Sequence, residues 1–178
     1  MSRARTVLVL GGVRAGKSAY AIARASCLGE RVAFVATAEA RDAEMATRIA
    51  RHRAARPPGW STVEAPIALA EAVAGLEGKV EVVVVDCLNL WVANLLERTP
   101  ALPDEALLAA SGRLTGLIAR RFASLVVVSN EVGWGVHPET ALGRRFRDAL
   151  GLVNQAVARA ADEVILLVAG CPLWLKTP

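Results

Sequence analysis

The length, composition and charge of this chain exclude several classes of protein. It has 178 residues, of which 54% are hydrophobic, so it can form its own core and is not disordered. Aromatic residues make up only 4%, so Val, Leu, Ile and Ala must build that core. The net charge is +4, but the arginines are scattered and no aromatic residues are interleaved with them, which favours small anionic ligands over nucleic acid.

The cysteines and the apolar runs bear on the compartment in which the protein works. The three cysteines are Cys27, Cys87 and Cys171. Their odd number and wide spacing argue against a disulfide framework or a zinc site and favour a reducing compartment. The longest apolar tract, residues 164–175, contains a glycine and a proline and is too short to span a bilayer. We therefore expect a cytoplasmic protein without a membrane span.

Short apolar runs alternate with helical patterns along the whole chain. The predicted strands are residues 6–10, 31–36, 61–64, 80–85, 125–129, 164–169 and 173–176. The predicted helices are residues 16–28, 39–55, 67–76, 88–97, 104–122 and 139–161. This alternation is typical of an α/β fold with a mostly parallel sheet and helices on both faces. No linker interrupts it, so we predict one domain over residues 1–178.

The first predicted strand runs into a sequence typical of a phosphate-binding loop. Residues 11–18, GGVRAGKS, match the pattern GxxxxGK[ST] and lie between a strand and a helix, as this loop requires. Glycines allow close approach to phosphate, and successive N–H groups with the helix dipole attract the anion. Lys17 should contact the β- and γ-phosphates, and Ser18 should bind Mg²⁺. The expected nucleotide contacts are Gly11, Gly12, Val13, Arg14, Ala15, Gly16, Lys17 and Ser18, and the predicted class is a three-layer P-loop NTPase.

Two further side chains are candidates for the chemistry of such a site. Asp86 ends a run of four valines, which is the usual position of a second Mg²⁺ ligand, although it could instead cap the helix that follows. His52 shares a helix face with Met45 and Ile49 at spacings of four and three residues. Four arginines, Arg48, Arg51, Arg53 and Arg56, surround it in the sequence. Guanidiniums suit a polyphosphate, and a neutral imidazole can attack phosphorus, although a packing role for His52 is the alternative.

An ordered set of short motifs extends over nearly the whole chain. It includes Ala36-Thr37-Ala38, Glu44-Met45, Arg48-Ile49, His52-Arg53, Arg56-Pro57, Asp86-Cys87-Leu88 and the segment NEVGWG at residues 130–135 with Pro138. Together with the phosphate loop, this set resembles the bifunctional adenosylcobinamide kinase/adenosylcobinamide-phosphate guanylyltransferase family of cobalamin biosynthesis. Ala15 departs from the serine usual in that family's loop, which removes a hydroxyl but no backbone N–H.

The resemblance implies a RecA-like sheet, a homotrimer with sites between subunits, and two activities. In the first, ATP or GTP phosphorylates adenosylcobinamide. In the second, GMP passes from GTP through a histidine to adenosylcobinamide phosphate, which gives adenosylcobinamide-GDP, and the matching histidine is His52. The same resemblance implies that the guanine nucleotide site also includes Ala36, Thr37, Ala38, Arg53, Ala54, Ala55, Arg56, Glu64 and Asp86.

Several alternatives remain at this level. A P-loop kinase with a single activity on a small metabolite would use the same loop but would form no covalent GMP. A guanine-nucleotide switch is disfavoured because the chain has no NKxD motif. Glu131 and Asp42 are candidates for the base that activates the substrate hydroxyl, or else a cap and a surface charge. Trp91 and Trp134 could line a corrinoid pocket, or else pack in the core.

Overall fold

The computed structural model describes residues 4–177 of the chain. The strands are β1 Thr6–Gly11, β2 Val32–Ala36, β3 Ser61–Glu64, β4 Val82–Asp86, β5 Ser124–Val128, β6 Glu163–Val168 and β7 Cys171–Lys176. The helices are α1 Lys17–Ser26, α2 Ala43–Ala54, α3 Leu69–Ala74, α4 Leu88–Arg98, α5 Asp104–Arg120 and α6 Ala141–Ala160. The strands form a seven-stranded sheet in the order β3-β2-β4-β5-β1-β6-β7.

Helices cover both faces of this sheet because successive strand side chains point to opposite faces and both faces are apolar. On one face, Val7 of β1 packs with Ala21 of α1. On the other face, Leu8 packs in a cluster that includes Leu114 of α5 and Leu150 of α6. The predicted three-layer α/β architecture is therefore confirmed. Within residues 4–177, no helix has the length and apolar character needed to cross a bilayer.

The strand order decides which loops meet at the functional edge. β1 to β6 all run parallel to one another and only β7 is antiparallel, so six strands end at the same edge of the sheet. β5 lies between β1 and β4, in register with both. The loops that follow β1, β2, β4 and β5 are thereby brought together, which is where α/β sheets bind ligands.

The helix starts differ most from the prediction. α2 begins at Ala43 and not at residue 39, because the Asp42 side chain accepts a hydrogen bond from Met45 N at 2.7 Å and caps the helix there. α6 begins two residues later than predicted because Thr140 caps it in the same way. The hydrophobic pattern extends past these caps, so the pattern alone placed both helix starts too early.

The bounds of β4, α3 and β7 also shift by two residues. β4 and α3 begin later than predicted, and β7 begins earlier. The reason at β7 is a tight turn at Ala169 and Gly170, with φ of 51° and 81°, after which pairing with β6 resumes at Cys171. A positive φ is easily adopted by glycine, so two residues suffice to reverse the chain.

A buried carboxylate anchors the amino end of β6. Glu163 is 4% exposed and accepts hydrogen bonds from Arg24 Nη2 at 2.7 and 2.9 Å, and from Arg5 Nη1 at 3.4 Å. These contacts link α1, the segment before β1 and β6. Removing one partner of a buried ion pair leaves the other charge uncompensated, which is far costlier than breaking an exposed pair.

We expect Glu163→Ala to lower the free energy of unfolding by about 2 kcal/mol, because the guanidinium of Arg24 loses its partner in a partly buried site. The control is Glu77→Ala, whose carboxylate pairs with Arg120 at 2.6 Å on an exposed surface and should cost about 0.5 kcal/mol or less. Urea unfolding measures both values. Equal losses would contradict a special role for the Glu163 cluster.

Candidate active site

The carboxyl edge of the sheet forms the wall of a cavity of about 1390 Å³. That volume is ample for a nucleoside triphosphate together with part of a second substrate. The residues expected from the sequence that line it are Val13, Arg14, Ala15, Gly16, Lys17, Ser18, Ala36, Ala38, His52, Arg53, Arg56, Glu64 and Asp86. Contributions from the loops after β1, β2 and β4 and from α2 thus converge on one space.

Some expected contacts lie outside the walls of this cavity, namely Gly11, Gly12, Thr37, Ala54 and Ala55. Thr37 is fully buried, and its hydroxyl donates to Cys87 O at 2.7 Å and accepts from Cys87 N at 2.8 Å. It therefore holds the chain after β4 from behind the site. The direct nucleotide contacts inferred for these residues stay a prediction.

The phosphate loop owes its shape to close backbone packing. Gly11 has φ of 150°, and a Cβ there would lie 2.6 Å from Leu167 O, so only glycine fits. Further along the loop, Gly170 N donates to Ala15 O at 3.1 Å. Gly16, with φ of 95°, is the N-cap of α1, whose free N–H groups therefore point toward the cavity.

Lys17 lies at the first turn of α1 with its charge directed into the loop. Its Nζ donates to Gly12 O at 2.6 Å. Burial lowers the pKa of this lysine below its ordinary value, and Arg48 acts in the same direction, while Cys87 and Asp86 oppose the shift. A desolvated ammonium next to a set of backbone donors is well suited to bind phosphate.

Ser18 and Asp86 bring two side-chain oxygen atoms together. The Ser18 hydroxyl donates to Asp86 Oδ2 at 3.3 Å. Burial raises the pKa of Asp86 above its ordinary value, against the opposing effects of His52, the Ser18 hydrogen bond, Arg56 and Lys17. The alternative role as a helix cap is wrong, because the N-cap of α4 is Cys87 and the Asp86 carboxylate accepts from Ser18 instead.

His52 reaches the cavity from α2, a helix without a single buried residue. Met45 and Ile49 line the cavity beside it, as their spacing predicted. The nearby arginines that also line it are Arg48, Arg51, Arg53 and Arg56. The face of α2 that carries the imidazole is therefore strongly basic and is directed at the space in front of Lys17 and Asp86.

Cys87 is the other potential nucleophile in the cavity walls. Its side chain is buried, and burial together with the charge of Asp86 raises the pKa of the thiol to about 12. A thiol with that pKa holds its proton at neutral pH and is a poor nucleophile. Of Cys87 and His52, which both line the cavity, His52 is therefore the better candidate for attack on phosphorus.

The far end of the cavity, beside β2 and β3, has the features of a site for a planar base. The Arg56 guanidinium lies 3.6 Å from the centre of the Phe34 ring and donates to Thr62 Oγ1 at 3.0 Å. Its Nε is buried without an acceptor within residues 4–177, and burial lowers its pKa. Glu64 nearby accepts from Arg53 at 3.0 Å.

Several residues that line this cavity had been given no role in the site from the sequence, among them Phe34, Thr62 and Asn130. Phe34 and Thr62 lie in the same strands as Ala36 and Glu64, which were expected in the site. Only the pairing of β2 with β3 places Phe34 and Thr62 side by side. Asn130 is the second residue after β5, at the same edge of the sheet where Cys87 follows β4. The position after a buried strand was the signal that could have identified it.

The structure distinguishes among the four residues considered for contact with the second substrate, which are Trp91, Trp134, Glu131 and Asp42. Trp91 is 2% exposed and donates from Nε1 to Ile67 O at 2.8 Å, so it packs in the core. Trp134 is 75% exposed, so the core-packing alternative is wrong for it. Glu131 accepts from Gly133 N at 3.1 Å, which makes it a cap of its own loop, as Asp42 is of α2.

Sequence comparison identifies relatives over almost the entire chain. A family model described as cobinamide kinase/cobinamide phosphate guanyltransferase matches residues 7–175. The bifunctional adenosylcobalamin biosynthesis protein CobP of Pseudomonas aeruginosa is 44% identical over 95% of this chain and 96% of its own length. The CobU protein of Escherichia coli, also described as bifunctional, is 40% identical over 96% of this chain and 99% of its own length.

Structural comparison identifies the fold. A RadB recombinase matches with a TM-score of 0.53 at 15% identity over 93% of this chain and 74% of its own. A protein of Pyrococcus horikoshii, PH0250, matches with a TM-score of 0.58 at 9% identity over 99% of this chain and 88% of its own. The predicted RecA-like P-loop fold is thus confirmed, and by its sequence the chain belongs to the cobinamide kinase/cobinamide phosphate guanyltransferase family.

Proposed function

We propose that this enzyme phosphorylates adenosylcobinamide with ATP or GTP and then transfers GMP from GTP, through His52, to adenosylcobinamide phosphate. One observation carries the proposal. The phosphate-loop lysine, the Ser18–Asp86 pair and the imidazole of His52 all face one cavity. Membership of the family supports the two substrates. A plain kinase would need the first two features and would have no use for a histidine among arginines.

In the kinase step the substrate hydroxyl attacks the γ-phosphorus, and the bond from that phosphorus to the β–γ bridging oxygen breaks. Lys17 and the loop N–H groups hold the β- and γ-phosphates during this exchange. Positioning and charge stabilisation contribute most of the catalysis in such reactions. The phosphate loop, which is held in place by its contacts with β6 and with the turn after it, supplies both positioning and charge stabilisation.

In the guanylyltransferase step the neutral imidazole of His52 attacks the α-phosphorus of GTP. A P–N bond forms, the bond between the α-phosphorus and pyrophosphate breaks, and the arginines of α2 offset the charge of the leaving group. The phosphate oxygen of adenosylcobinamide phosphate then attacks the same phosphorus and releases His52. The Arg56–Phe34 end of the cavity would hold the guanine base.

Mg²⁺ fits the oxygen pair of Ser18 and Asp86. Within residues 4–177 no group of three or more His, Cys, Asp or Glu residues converges on one point, so the protein alone does not enclose an ion. Mg²⁺ commonly takes only one or two protein oxygens and completes its shell with phosphate and water. We propose that Ser18 and Asp86 hold it, where it would offset negative charge on the phosphates.

We also propose that the enzyme is a homotrimer and works in the cytoplasm. The edge strand β7 supports association, because its side chains are exposed and several are large and apolar: Leu173 at 55%, Trp174 at 50% and Leu175 at 56%. An exposed apolar edge strand readily pairs with another chain. The three free cysteines, Cys27, Cys87 and Cys171, are compatible with a reducing compartment.

We expect His52→Ala to lose covalent labelling by GTP that is radioactive at the α-phosphate, to below about 1% of the wild-type level, because the substitution removes the imidazole to which we propose that GMP becomes attached. Gel electrophoresis with autoradiography measures the label. His137→Ala is the matched control, since this exposed histidine contacts Arg147 at 3.1 Å outside the cavity walls, and it should label normally. Full labelling of His52→Ala would leave a kinase with a single activity as the better proposal.

We expect Asp86→Asn to stabilise the protein without nucleotide or metal, although it removes a proposed metal ligand. The raised native pKa means that the folded protein binds this proton more tightly than the unfolded chain does, so ionisation of Asp86 costs stability as the pH rises. The gain from Asp86→Asn should be absent below the ordinary pKa of 3.8 and should grow above it until the native carboxyl is ionised.

Urea midpoints at several pH values in the presence of a chelator measure this gain. Asp104→Asn changes an exposed carboxylate that pairs with Arg145 at 2.6 Å, and it should give no gain. A loss of stability for Asp86→Asn at neutral pH, or a gain that does not depend on pH, would contradict the assignment of a costly buried charge.

We expect Leu175→Glu to dissociate the trimer, because a carboxylate cannot be buried at a subunit interface without a partner. Light scattering should give three times the chain mass of 18.8 kDa for the wild type and a smaller assembly for the variant. Leu108→Glu, at an exposed position on α5, should keep the wild-type mass. A monomeric wild type would refute the trimer, and an unchanged mass for Leu175→Glu would refute the role of β7.

A further inference from the structure

A buried polar network lies behind the carboxyl end of β5 and takes no part in the mechanism described so far. Ser129 is fully buried, and Asn154 in α6 is 6% exposed. The Ser129 hydroxyl donates to Asn154 Oδ1 at 2.6 Å, and Asn154 Nδ2 donates to Asn130 O at 3.0 Å. One amide thus holds two consecutive residues of the loop after β5.

The cost of this arrangement suggests that it serves the site. Asn154 lies on a helix face that otherwise buries Leu150, Val153 and Val157. A buried amide costs free energy unless each polar atom has a partner, and an apolar residue would avoid that cost. The amide fits this position because one of its bonds holds the Ser129 side chain and the other holds the Asn130 backbone of the same loop.

The backbone on either side of Asn130 is also fixed. Ser129 N donates to Val9 O at 2.9 Å, and Glu131 N donates to Gly11 O at 3.3 Å. Both bonds tie the backbone around Asn130 to β1, and β5 lies between β1 and β4, the strand that carries Asp86. Asn130 lines the cavity together with Lys17.

We propose that Asn130 contacts the terminal phosphate of the bound nucleotide and that Asn154 is a positioning residue that acts through it. This inference rests on the kinase half of the proposed function. A triphosphate bound along residues 11–18 would extend toward Asp86, and Asp86 pairs with Val128 of β5, so the end of β5 would face its γ-phosphoryl group. A neutral amide N–H placed there stabilises charge on the equatorial oxygens as the phosphoryl group moves, and it adds no titrating group.

The first test measures γ-phosphoryl transfer by Asn130→Ala. We expect kcat to fall about 100-fold while the KM for ATP changes less than about 3-fold, because the contact strengthens in the transition state. Guanylylation of His52 should fall less than about 10-fold, since the γ-phosphate leaves there as part of pyrophosphate. A kinase kcat within about 3-fold of wild type would overturn the inference. An inactive wild type would instead overturn the proposed function.

The second test asks whether Asn154 acts through Asn130. Asn154→Leu should lower the kinase kcat about 10-fold, and the double variant with Asn130→Ala should be no worse than Asn130→Ala alone. Independent, multiplying effects would show a purely structural role for Asn154. If Asn154→Leu does not fold, Ser129→Ala breaks one bond of the network and should show the same non-additivity. Ser111→Ala removes a buried hydroxyl that bonds only within α5, and it should keep the wild-type kcat.

Discussion

The site depends on the contact between the backbone of the phosphate loop and the end of β6. Gly11 passes so close to Leu167 O that no side chain can be accommodated, and Ala15 O accepts a hydrogen bond from the turn between β6 and β7. These contacts fix the backbone conformation of the loop, so its N–H groups need little reorganisation when phosphate binds. Preorganised donors of this kind are more effective than donors that must first be assembled.

Around that fixed loop, the protein concentrates charges that are costly in the absence of ligand. Burial lowers the pKa of Lys17 and raises the pKa of Asp86, so in both groups burial disfavours the charged form. Asp86 is held between Ser18, the arginines and the imidazole. A triphosphate with its metal supplies the missing counter-charges, and binding should therefore relieve unfavourable electrostatics as well as form new contacts.

Much of this architecture could be predicted from the sequence because its signals are local. The phosphate loop is read from a pattern of eight residues, and the strand before Asp86 from a run of valines. The helix caps at Asp42 and Thr140 are local as well, but the hydrophobic pattern concealed them. Phe34 and Thr62 could not be placed in the same way, because their position side by side follows from the pairing of β2 with β3.

The family resemblance extended the prediction to roles that no local pattern contains. It pointed to His52, which the structure places in the same cavity as Lys17. It did not separate residues in the walls from those behind them. Thr37 supports Cys87 from the interior, whereas the neighbouring Ala36 and Ala38 line the cavity. That distinction depends on which way each side chain points at the end of β2.

The strand order also has a consequence for how the protein is made. β1 is synthesised first, yet both of its partners, β5 and β6, lie in the second half of the chain. During translation β1 therefore stays unpaired, with its hydrophobic side chains uncovered, until β5 has left the ribosome. Pairing of sequence-distant strands is intrinsically slow and exposes the chain to aggregation.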